Sequence, residues 1–407
     1  MTDGWRRRGH NIAAMRALAR AALPRAVFDF ADGGAEDETT LRANEAAFAD
    51  ISLLPMPLNG PATRDLGLDL FGQRLSLPVL VGPTGLGGLF WPDGEREAAR
   101  AATAAGTAYC LSHGSVCTLE QLADTGAAPR WMQVFVYRDR AFTRELTERA
   151  QAAGYHALVL TTDNQILGNR ERDIHNGFAI PPRFGAMDLA MMATKLPWLW
   201  RMRREFSRLT FGNYVRPGAA ESIATLAGRM SQLLDPAMCW ADVDAVRKLW
   251  RGPLILKGVL HPAEAAEAVA RGVDGVIVSN HGGRQLDGAA ASVLALPGVA
   301  AAVAGRIPVL LDGGIRRGAD VARALCLGAT ACLIGRPQLW GVAVAGQAGV
   351  AHVLDIFRRE IDRAMGLCGA ARLADLGPHL LFTPQGPAPC PSSRSSTATS
   401  ISTTRND

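Results

Sequence analysis

The chain has 407 residues, of which 48% are hydrophobic, and it carries a formal net charge of +5. This length exceeds one average domain but suits a single α/β barrel. The seven cysteines form no CxxC pair, so neither a structural zinc site nor a secreted disulfide framework is expected. Residues 183–216 hold seven basic and two acidic residues, a concentration that argues for one local contact and against a general nucleic-acid-binding surface.

The N-terminal part of the chain is predicted to be a cap segment of the main domain, over residues 1–77. Residues 11–31 and 36–48 have helical spacing, while residues 53–77 contain strand and turn signals and are expected to cover the N-terminal end of a barrel. The polar, basic start lacks the apolar stretch of a signal peptide, which predicts a cytosolic protein or one that faces the cytosol.

From residue 78 onward, short apolar runs alternate with Ala-, Glu- and Arg-rich helical stretches. The candidate strands are residues 78–82, 107–111, 131–136, 157–161, 253–257, 275–279, 308–312 and 331–335. Eight strands that alternate with helices predict an α/β fold, a (β/α)8 TIM barrel over residues 78–383. The Pro-, Ser- and Thr-rich segment 384–407 is expected to be a disordered tail.

One connection is far longer than a βα loop needs to be, because about ninety residues separate the fourth strand from the fifth. We expect residues 177–235 to form an inserted segment that contacts a membrane. Lys195 and Arg201 interrupt its apolar residues, so no run reaches the ~20 residues that cross a bilayer. Trp198 and Trp200, with nearby methionines, suit an amphipathic segment that turns its rings to the bilayer and its cations to anionic lipid. A core or subunit-contact helix is the alternative.

Active sites of such barrels form where the strands end, and polar residues are found there in this chain. They are Thr84, Ser112, Gln133, Thr161 with Asp163, Lys257, Ser279 with His281, Asp312-Gly313-Gly314, and Gly335-Arg336. Polar loops alone would explain about half of this set. His281 and Arg284 place a base three residues from a carboxylate clamp, which suggests proton abstraction from a substrate with a carboxylate.

A mononucleotide fits these strand ends better than NAD does. Glycine amides with the guanidinium groups of Arg316 and Arg336 predict a phosphate cradle, whereas residues 85–88 match a dinucleotide motif only weakly. Ser112, Gln133 and Thr161 can meet the edge of a flat heteroaromatic ring, and a lysine beside that ring favours a reduced, anionic flavin.

Four motifs resemble the FMN-dependent 2-hydroxy acid dehydrogenase/oxidase family, which includes glycolate oxidase, L-lactate dehydrogenase and mandelate dehydrogenase. They are residues 278–287 (VSNHGGRQLD), 256–258 (LKG), 311–318 (LDGGIRRG) and 334–337 (IGRP). The resemblance extends from about Pro24 to Leu376. Residues 82–86 (GPTGL) and 90–92 (FWP) are similar to the membrane-associated mandelate dehydrogenase branch.

The resemblance implies FMN as cofactor, an L-2-hydroxy acid as substrate and a 2-oxo acid as product. It also implies electron transfer to a membrane quinone or another carrier, a homotetramer, and a peripheral position on the cytoplasmic face of the membrane through residues 183–216. The implied catalytic residues are His281 as base, Asp163 behind it, Arg170 and Arg284 on the substrate carboxylate, and Lys257. The implied FMN contacts are Thr84, Gly85, Ser112, Gln133, Thr161, Lys257 and Ser279 at the ring, and Asp312, Gly313, Gly314, Arg316, Gly335 and Arg336 at the ribityl phosphate.

The chain departs from the family pattern at the substrate-contacting positions and in the side-chain pocket. Phe30 and Phe135 stand where the family usually has tyrosines that contact the substrate, and His113-Gly114 replaces residues that shape the side-chain pocket. These changes leave two alternatives beside a quinone-linked dehydrogenase. One is a soluble oxidase that reduces oxygen, and the other is an FMN protein with an altered substrate or decayed activity.

Overall fold

The computed structural model describes residues 4–177, 194–206, 209–214 and 233–382. The N-terminal helices are α1 (Gly4–Arg8), α2 (Ile12–Ala22), α3 (Arg25–Asp32) and α4 (Thr39–Ala46), and an antiparallel hairpin of β1 (Leu68–Leu70) and β2 (Gln73–Leu75) follows. Leucines of this hairpin join the inward side chains of the barrel strands in one buried cluster. At its turn, the Phe71 ring meets the edge of Trp131 with centroids 5.6 Å apart. The hairpin therefore fills the N-terminal end of the barrel.

Eight parallel strands form the closed barrel, which confirms the predicted fold. They are β3 (Val79–Val81), β4 (Tyr109–Leu111), β5 (Arg130–Val134), β6 (Ala157–Thr161), β7 (Leu254–Val259), β8 (Gly275–Val278), β9 (Val309–Asp312) and β10 (Ala331–Ile334). Each pairs with the next, and β10 pairs with β3 to close the ring. The strands are near-continuous apolar runs because helices cover the outer face and side chains fill the interior.

The remaining helices surround the barrel or belong to the insertion. In chain order they are α5 (Gly94–Ala104), α6 (Leu119–Ala123), α7 (Arg140–Ala152), α8 (Glu171–His175), α9 (Leu196–Met202), α10 (Trp240–Leu249), α11 (Pro262–Ala270), α12 (Ser292–Val303), α13 (Gly318–Cys326) and α14 (Arg336–Cys368). By length and composition α14 could cross a membrane, but 61% of its apolar window is buried within the protein. Because most of this window is buried, α14 is a core element. It also bends at Ala345 and Gly346, where the backbone is not helical, and therefore consists of two helical pieces.

Part of the N-terminal segment lies at the opposite end of the barrel from the hairpin. Asn44 of α4 exchanges two side-chain hydrogen bonds of 2.8 Å with Asn280, which follows β8. Asp287, in the loop after β8, accepts hydrogen bonds from the main-chain N–H groups of Thr39 and Thr40. Within the N-terminal segment 1–77, the hairpin therefore lies at the N-terminal end of the barrel, where residues 53–77 were expected, whereas α4 packs at the C-terminal end.

The described part of the insertion corrects the predicted orientation of its side chains. Trp198 and Met202 are buried, and the Trp198 indole N–H donates to the Leu89 carbonyl oxygen at 3.3 Å. These two side chains face the protein core because α9 packs one face on the barrel. Trp200 and Leu196 are each 67% exposed. Methionines 187, 191 and 192 and the tail 384–407 lie outside the described residues.

The contact between α4 and the end of β9 yields a stability prediction. Gly314 has φ +77°, and a Cβ there would lie 1.9 Å from the Asn44 carbonyl oxygen, whereas Gly305 has φ +72° and open space. We expect Gly305→Ala to lower the free energy of unfolding by about 1 kcal/mol through its left-handed backbone. Gly314→Ala should cost about 3 kcal/mol or more, because α4 must also move. Urea titration measures both losses, and equal losses would contradict the close packing.

Candidate active site

The best-defined chemical pair lies just beyond the end of β8. His281 has φ +57°, a left-handed conformation that is uncommon for a residue with a side chain, and its main-chain N–H donates to Ser279 Oγ at 3.0 Å. Its Nδ1 lies 2.9 Å from Asp163 Oδ1. An ionised carboxylate accepts Nδ1–H, so Nε2 of the neutral ring is left as a proton acceptor. The sequence predicted both members of this pair, and the structure brings them together from the ends of β6 and β8.

The surroundings keep His281 neutral and Asp163 ionised. Burial lowers the pKa of His281 below its ordinary value, and Lys257 and Arg170 add to this effect against the opposing influence of Asp163. Burial alone would raise the pKa of Asp163, but His281 and Lys257 outweigh it and the pKa lies below its ordinary value. A neutral imidazole held by a carboxylate is suited to act as a general base.

Lys257 is a buried cation in the same group. Its Nζ donates to Ser279 Oγ at 3.0 Å and lies 3.0 Å from Asp312 Oδ2. Burial would lower the pKa of Lys257, but Asp312 and Asp163 raise it above the ordinary value. The Asp312 carboxylate would repel a phosphate. Its contacts are with Lys257 and Ser279, and its expected place in the phosphate cradle stays a prediction.

Arg170 and Arg284 form a cluster of half-buried positive charge. Arg284 Nη1 donates to the Gly33 carbonyl oxygen at 2.7 Å, and its guanidinium lies 5.5 Å from the centre of the Phe30 ring. Arg170 Nε is buried and has no hydrogen-bond partner in the described part of the chain. Burial, and then Arg170 and Arg336, hold the pKa of Arg284 well below its ordinary value. Half-buried guanidinium groups that repel one another favour an anionic ligand such as a carboxylate.

A second cationic group lies where β9 and β10 end. Arg336 begins α14 after Gly335 and donates three hydrogen bonds of 2.7–3.1 Å to main-chain carbonyl oxygens. Burial and the charge of Arg316 lower its pKa to about 10. Arg316 donates to Glu45 Oε1 at 2.8 Å. Two mutually repelling cations at a helix N-terminus fit a phosphate. Gly313 and Gly314 lie beside them, but Gly314 is required by the packing of α4.

Unpaired polar atoms mark the wall formed by β5 and β6. Gln133 Oε1 accepts hydrogen bonds from Ser112 Oγ at 3.4 Å and from the His113 main-chain N–H at 3.2 Å. Gln133 Nε2 and Thr161 Oγ1 are buried with no partner among the residues that the structure describes. Such groups are costly unless a ligand pairs with them, so they fit the hydrogen-bonding edge of a flavin.

The loop after β3 lies next to the loop after β4, at the edge of this wall. Thr84 Oγ1 accepts a hydrogen bond of 2.6 Å from Gln338 Nε2. A Cβ on Gly85 would lie 3.2 Å from the Gly114 carbonyl oxygen, so the two loops approach each other closely there.

The structure adds two tyrosines that the sequence did not reveal. The phenol oxygens of Tyr137 and Tyr214 lie 2.7 Å apart, and both contact His113 Nδ1. The His113 ring meets the buried Phe135 ring with centroids 4.3 Å apart. Tyr214 belongs to the insertion, and because it is far from Tyr137 in the chain, no local pattern could have predicted this contact.

Comparisons with known proteins show the family of this chain. Residues 19–383 match the family described as FMN-dependent dehydrogenase. The chain is 43% identical over 368 residues to an L-lactate dehydrogenase of Caulobacter vibrioides (strain NA1000 / CB15N), covering 90% of this chain and 96% of that protein. An L-lactate dehydrogenase of Ectopseudomonas mendocina (strain ymp) is 42% identical over 368 residues, covering 90% and 97%.

Two solved structures show the same architecture. The monotopic membrane protein (S)-mandelate dehydrogenase superposes with a TM-score of 0.88 at 37% identity, covering 91% of this chain and 98% of that one. A mandelate oxidase superposes with a TM-score of 0.80 at 36% identity, covering 93% and 99%.

The unpaired Thr161 hydroxyl yields a prediction about cofactor binding. We expect Thr161→Val to leave the stability of the FMN-free protein unchanged or raised by about 1 kcal/mol, because a buried unsatisfied hydroxyl is removed. The same change should weaken FMN binding about tenfold, as measured by fluorescence titration. Thr107→Val is the matched control, since the Thr107 hydroxyl donates to the Val79 carbonyl oxygen at 2.7 Å. It should lower stability and leave FMN affinity unchanged, and the reverse pattern would contradict a flavin at Thr161.

Proposed function

This chain belongs to the family of FMN-dependent dehydrogenases, and we propose that it oxidises an L-2-hydroxy acid to the corresponding 2-oxo acid. The observation that carries the proposal is the neutral His281 held by Asp163, within the electrostatic influence of Arg170 and Lys257. A module that only bound FMN would have no need of a base placed in this way.

Different side chains would bind the substrate carboxylate and accept the substrate proton. Arg170 and Arg284 would bind the carboxylate and fix C2 near His281, because a guanidinium can grip both carboxylate oxygens. His281 Nε2 would accept one proton as the substrate is oxidised, and the adjacent Asp163 carboxylate would stabilise the imidazolium. This base is lost as the pH falls through the pKa of His281, because a protonated ring cannot accept a proton.

The chemistry that bound FMN would supply is acceptance of a hydride equivalent, the two electrons and the second proton of the substrate, while the first proton goes to His281. Gln133, Thr161 and Ser112 would pair with the ring edge, and Arg316, Arg336 and the N-terminus of α14 would hold the phosphate. Lys257 would stabilise negative charge on the reduced ring, because it stays cationic beside Asp312.

The apolar walls favour a substrate with an apolar side chain larger than a methyl group. Leu86 and Phe211 are buried against each other, and Phe30 packs against this pair. Phe135 adds a further ring beside His113. Similar proteins are named for lactate and for mandelate, and the aromatic lining supports the larger, aryl-bearing class.

We propose membrane docking through α9 and its flanking residues, with a membrane quinone as the electron acceptor. Leu196 and Trp200 expose apolar surface, and the Arg203 guanidinium lies 3.8 Å from the centre of the Trp200 ring. An exposed tryptophan ring in contact with a guanidinium group suits the headgroup region of a bilayer. The similarity to a monotopic membrane protein supports this part of the proposal, and the expected homotetramer remains a prediction.

The central test is anaerobic reduction of the flavin by a panel of 2-hydroxy acids. We expect the yellow absorbance of the FMN protein to bleach with at least one L-acid, and most readily with aryl or large aliphatic side chains. His281→Gln should keep one FMN per chain but slow bleaching by about 10²–10⁴-fold, because the general base is removed.

The exposed His10 provides a matched control, since His10→Gln should leave the bleaching rate unchanged. Rapid reduction of the His281 variant would place the base elsewhere. Reoxidation with oxygen and, separately, with a soluble quinone then distinguishes an oxidase from a quinone-linked dehydrogenase.

The docking proposal predicts salt-sensitive binding to anionic liposomes. Trp200→Ser together with Leu196→Ser should reduce co-sedimentation, because both side chains are exposed and their loss leaves the buried Trp198 in place. Leu58→Ser is the matched control, since Leu58 is fully exposed outside the insertion. Each basic residue near the surface contributes about 1 kcal/mol, so binding should weaken as salt rises. Equal sedimentation of all variants would reject the segment as the docking site.

A further inference from the structure

Phe135 stands where the family resemblance implies a tyrosine, so the chain lacks a hydroxyl group at this position. Phe135 is buried at the end of β5 beside His113, which lies just beyond the end of β4. The His113 main-chain N–H donates to the same Gln133 amide whose Nε2 is unpaired at the flavin wall. The charge of His281 contributes to lowering the pKa of His113, so the two rings lie within electrostatic range of each other. The His113 ring is therefore close to both the flavin wall and the proposed base.

The two tyrosines determine which nitrogen of His113 carries the proton. The three atoms Tyr137 Oη, Tyr214 Oη and His113 Nδ1 are all within hydrogen-bonding distance of one another. If Nδ1 accepts, one phenol donates to the other and the second donates to Nδ1, so both phenol protons are paired. If Nδ1 carried a proton, one phenol proton would have no acceptor within the triangle. An unpaired buried donor is unfavourable, so the triangle selects the tautomer with the proton on Nε2.

The protonation state agrees with this arrangement. Burial, followed by the charge of His281, lowers the pKa of His113 to about 3, so the ring is neutral near pH 7. Within the described ranges, His113 Nε2 has no hydrogen-bond partner. His113 thus presents one neutral donor on the edge of its ring away from the tyrosines.

We propose that His113 Nε2–H donates a hydrogen bond to the oxygen on C2 of the substrate, and so replaces the hydroxyl that Phe135 lacks. Tyr137 and Tyr214 act as positioning residues, because they hold the ring in the donor tautomer. Negative charge grows on this oxygen when His281 removes a proton, and a fixed neutral donor stabilises that charge without repelling the imidazolium. The inference rests on the proposed 2-hydroxy acid oxidation and assigns one more contact within it.

The test compares paired ligands that differ only in the oxygen on C2. Binding to the oxidised FMN protein is followed by the change in flavin absorbance, with phenylglyoxylate and phenylacetate as one pair and pyruvate and propionate as the other. His113→Phe should raise the Kd of each 2-oxo acid about tenfold and leave the Kd of its partner without the oxygen unchanged. Adding Phe135→Tyr to this variant should restore the tighter binding, because the new hydroxyl offers a donor nearby.

The tyrosines are tested with the same ligand pairs. Tyr137→Phe and Tyr214→Phe should each have a small effect, because either phenol can still donate to Nδ1, whereas the double variant should show most of the His113→Phe defect. Phe142→Leu is the matched control, since Phe142 packs on both tyrosines through its ring alone. His113→Gln keeps a neutral hydrogen-bond donor, so it separates loss of the donor from a folding defect. The FMN content of each variant also reports folding.

Equal weakening for both members of a pair, or no weakening in either, would overturn the proposed contact. A selective loss that Phe135→Tyr fails to restore would overturn the replacement of the missing hydroxyl. If no hydroxy acid bleaches the wild-type flavin, the proposed oxidation fails, while selective binding of the 2-oxo acids still decides the role of His113.

Discussion

The C-terminal end of the barrel is dominated by buried and half-buried positive charge that the protein compensates only in part. Lys257 is paired with Asp312, and the Asp163 carboxylate holds the neutral His281, so the centre of the site contains no uncompensated cation. Arg170 and Arg284, and further along Arg316 and Arg336, are less completely compensated, as the lowered pKa values of all four groups show. Because an uncompensated buried charge is costly, these two clusters are suited to the two anions of the reaction, a substrate carboxylate and a phosphate.

This constraint also explains why the N-terminal helices pack where they do. The carbonyl oxygen of Gly33, just after α3, accepts hydrogen bonds from both Arg284 and Arg336. The C-terminus of a helix carries partial negative charge, so α3 stabilises cations that come from two different loops. Asn44 and Glu45 of α4 bind Asn280 and Arg316 in the same region. The N-terminal segment thus helps to stabilise the positive charges of the site.

The proposed contact of His113 with the substrate would move one chemical role between residues that are distant in the chain. Phe135 stands where the family resemblance implies a tyrosine, and a histidine on the neighbouring strand end lies against its ring. The tautomer of that histidine depends on Tyr214, which is supplied by the insertion. The insertion therefore contacts both the barrel core through Trp198 and His113 through Tyr214, while it also exposes Trp200.

The sequence by itself determined the barrel, because strand and helix periodicity are local properties that survive in short windows. It also predicted that His281, Asp163 and Lys257 would lie together, since polar residues after buried strands converge at one edge of a parallel barrel, whereas Arg170 was expected only from the family resemblance. Only the tertiary structure decided that Asp312 pairs with Lys257, that Trp198 faces the core and that Tyr137 and Tyr214 meet at His113. Each of these contacts joins segments far apart in the chain, and which face of a segment is covered depends on packing partners that local sequence does not specify.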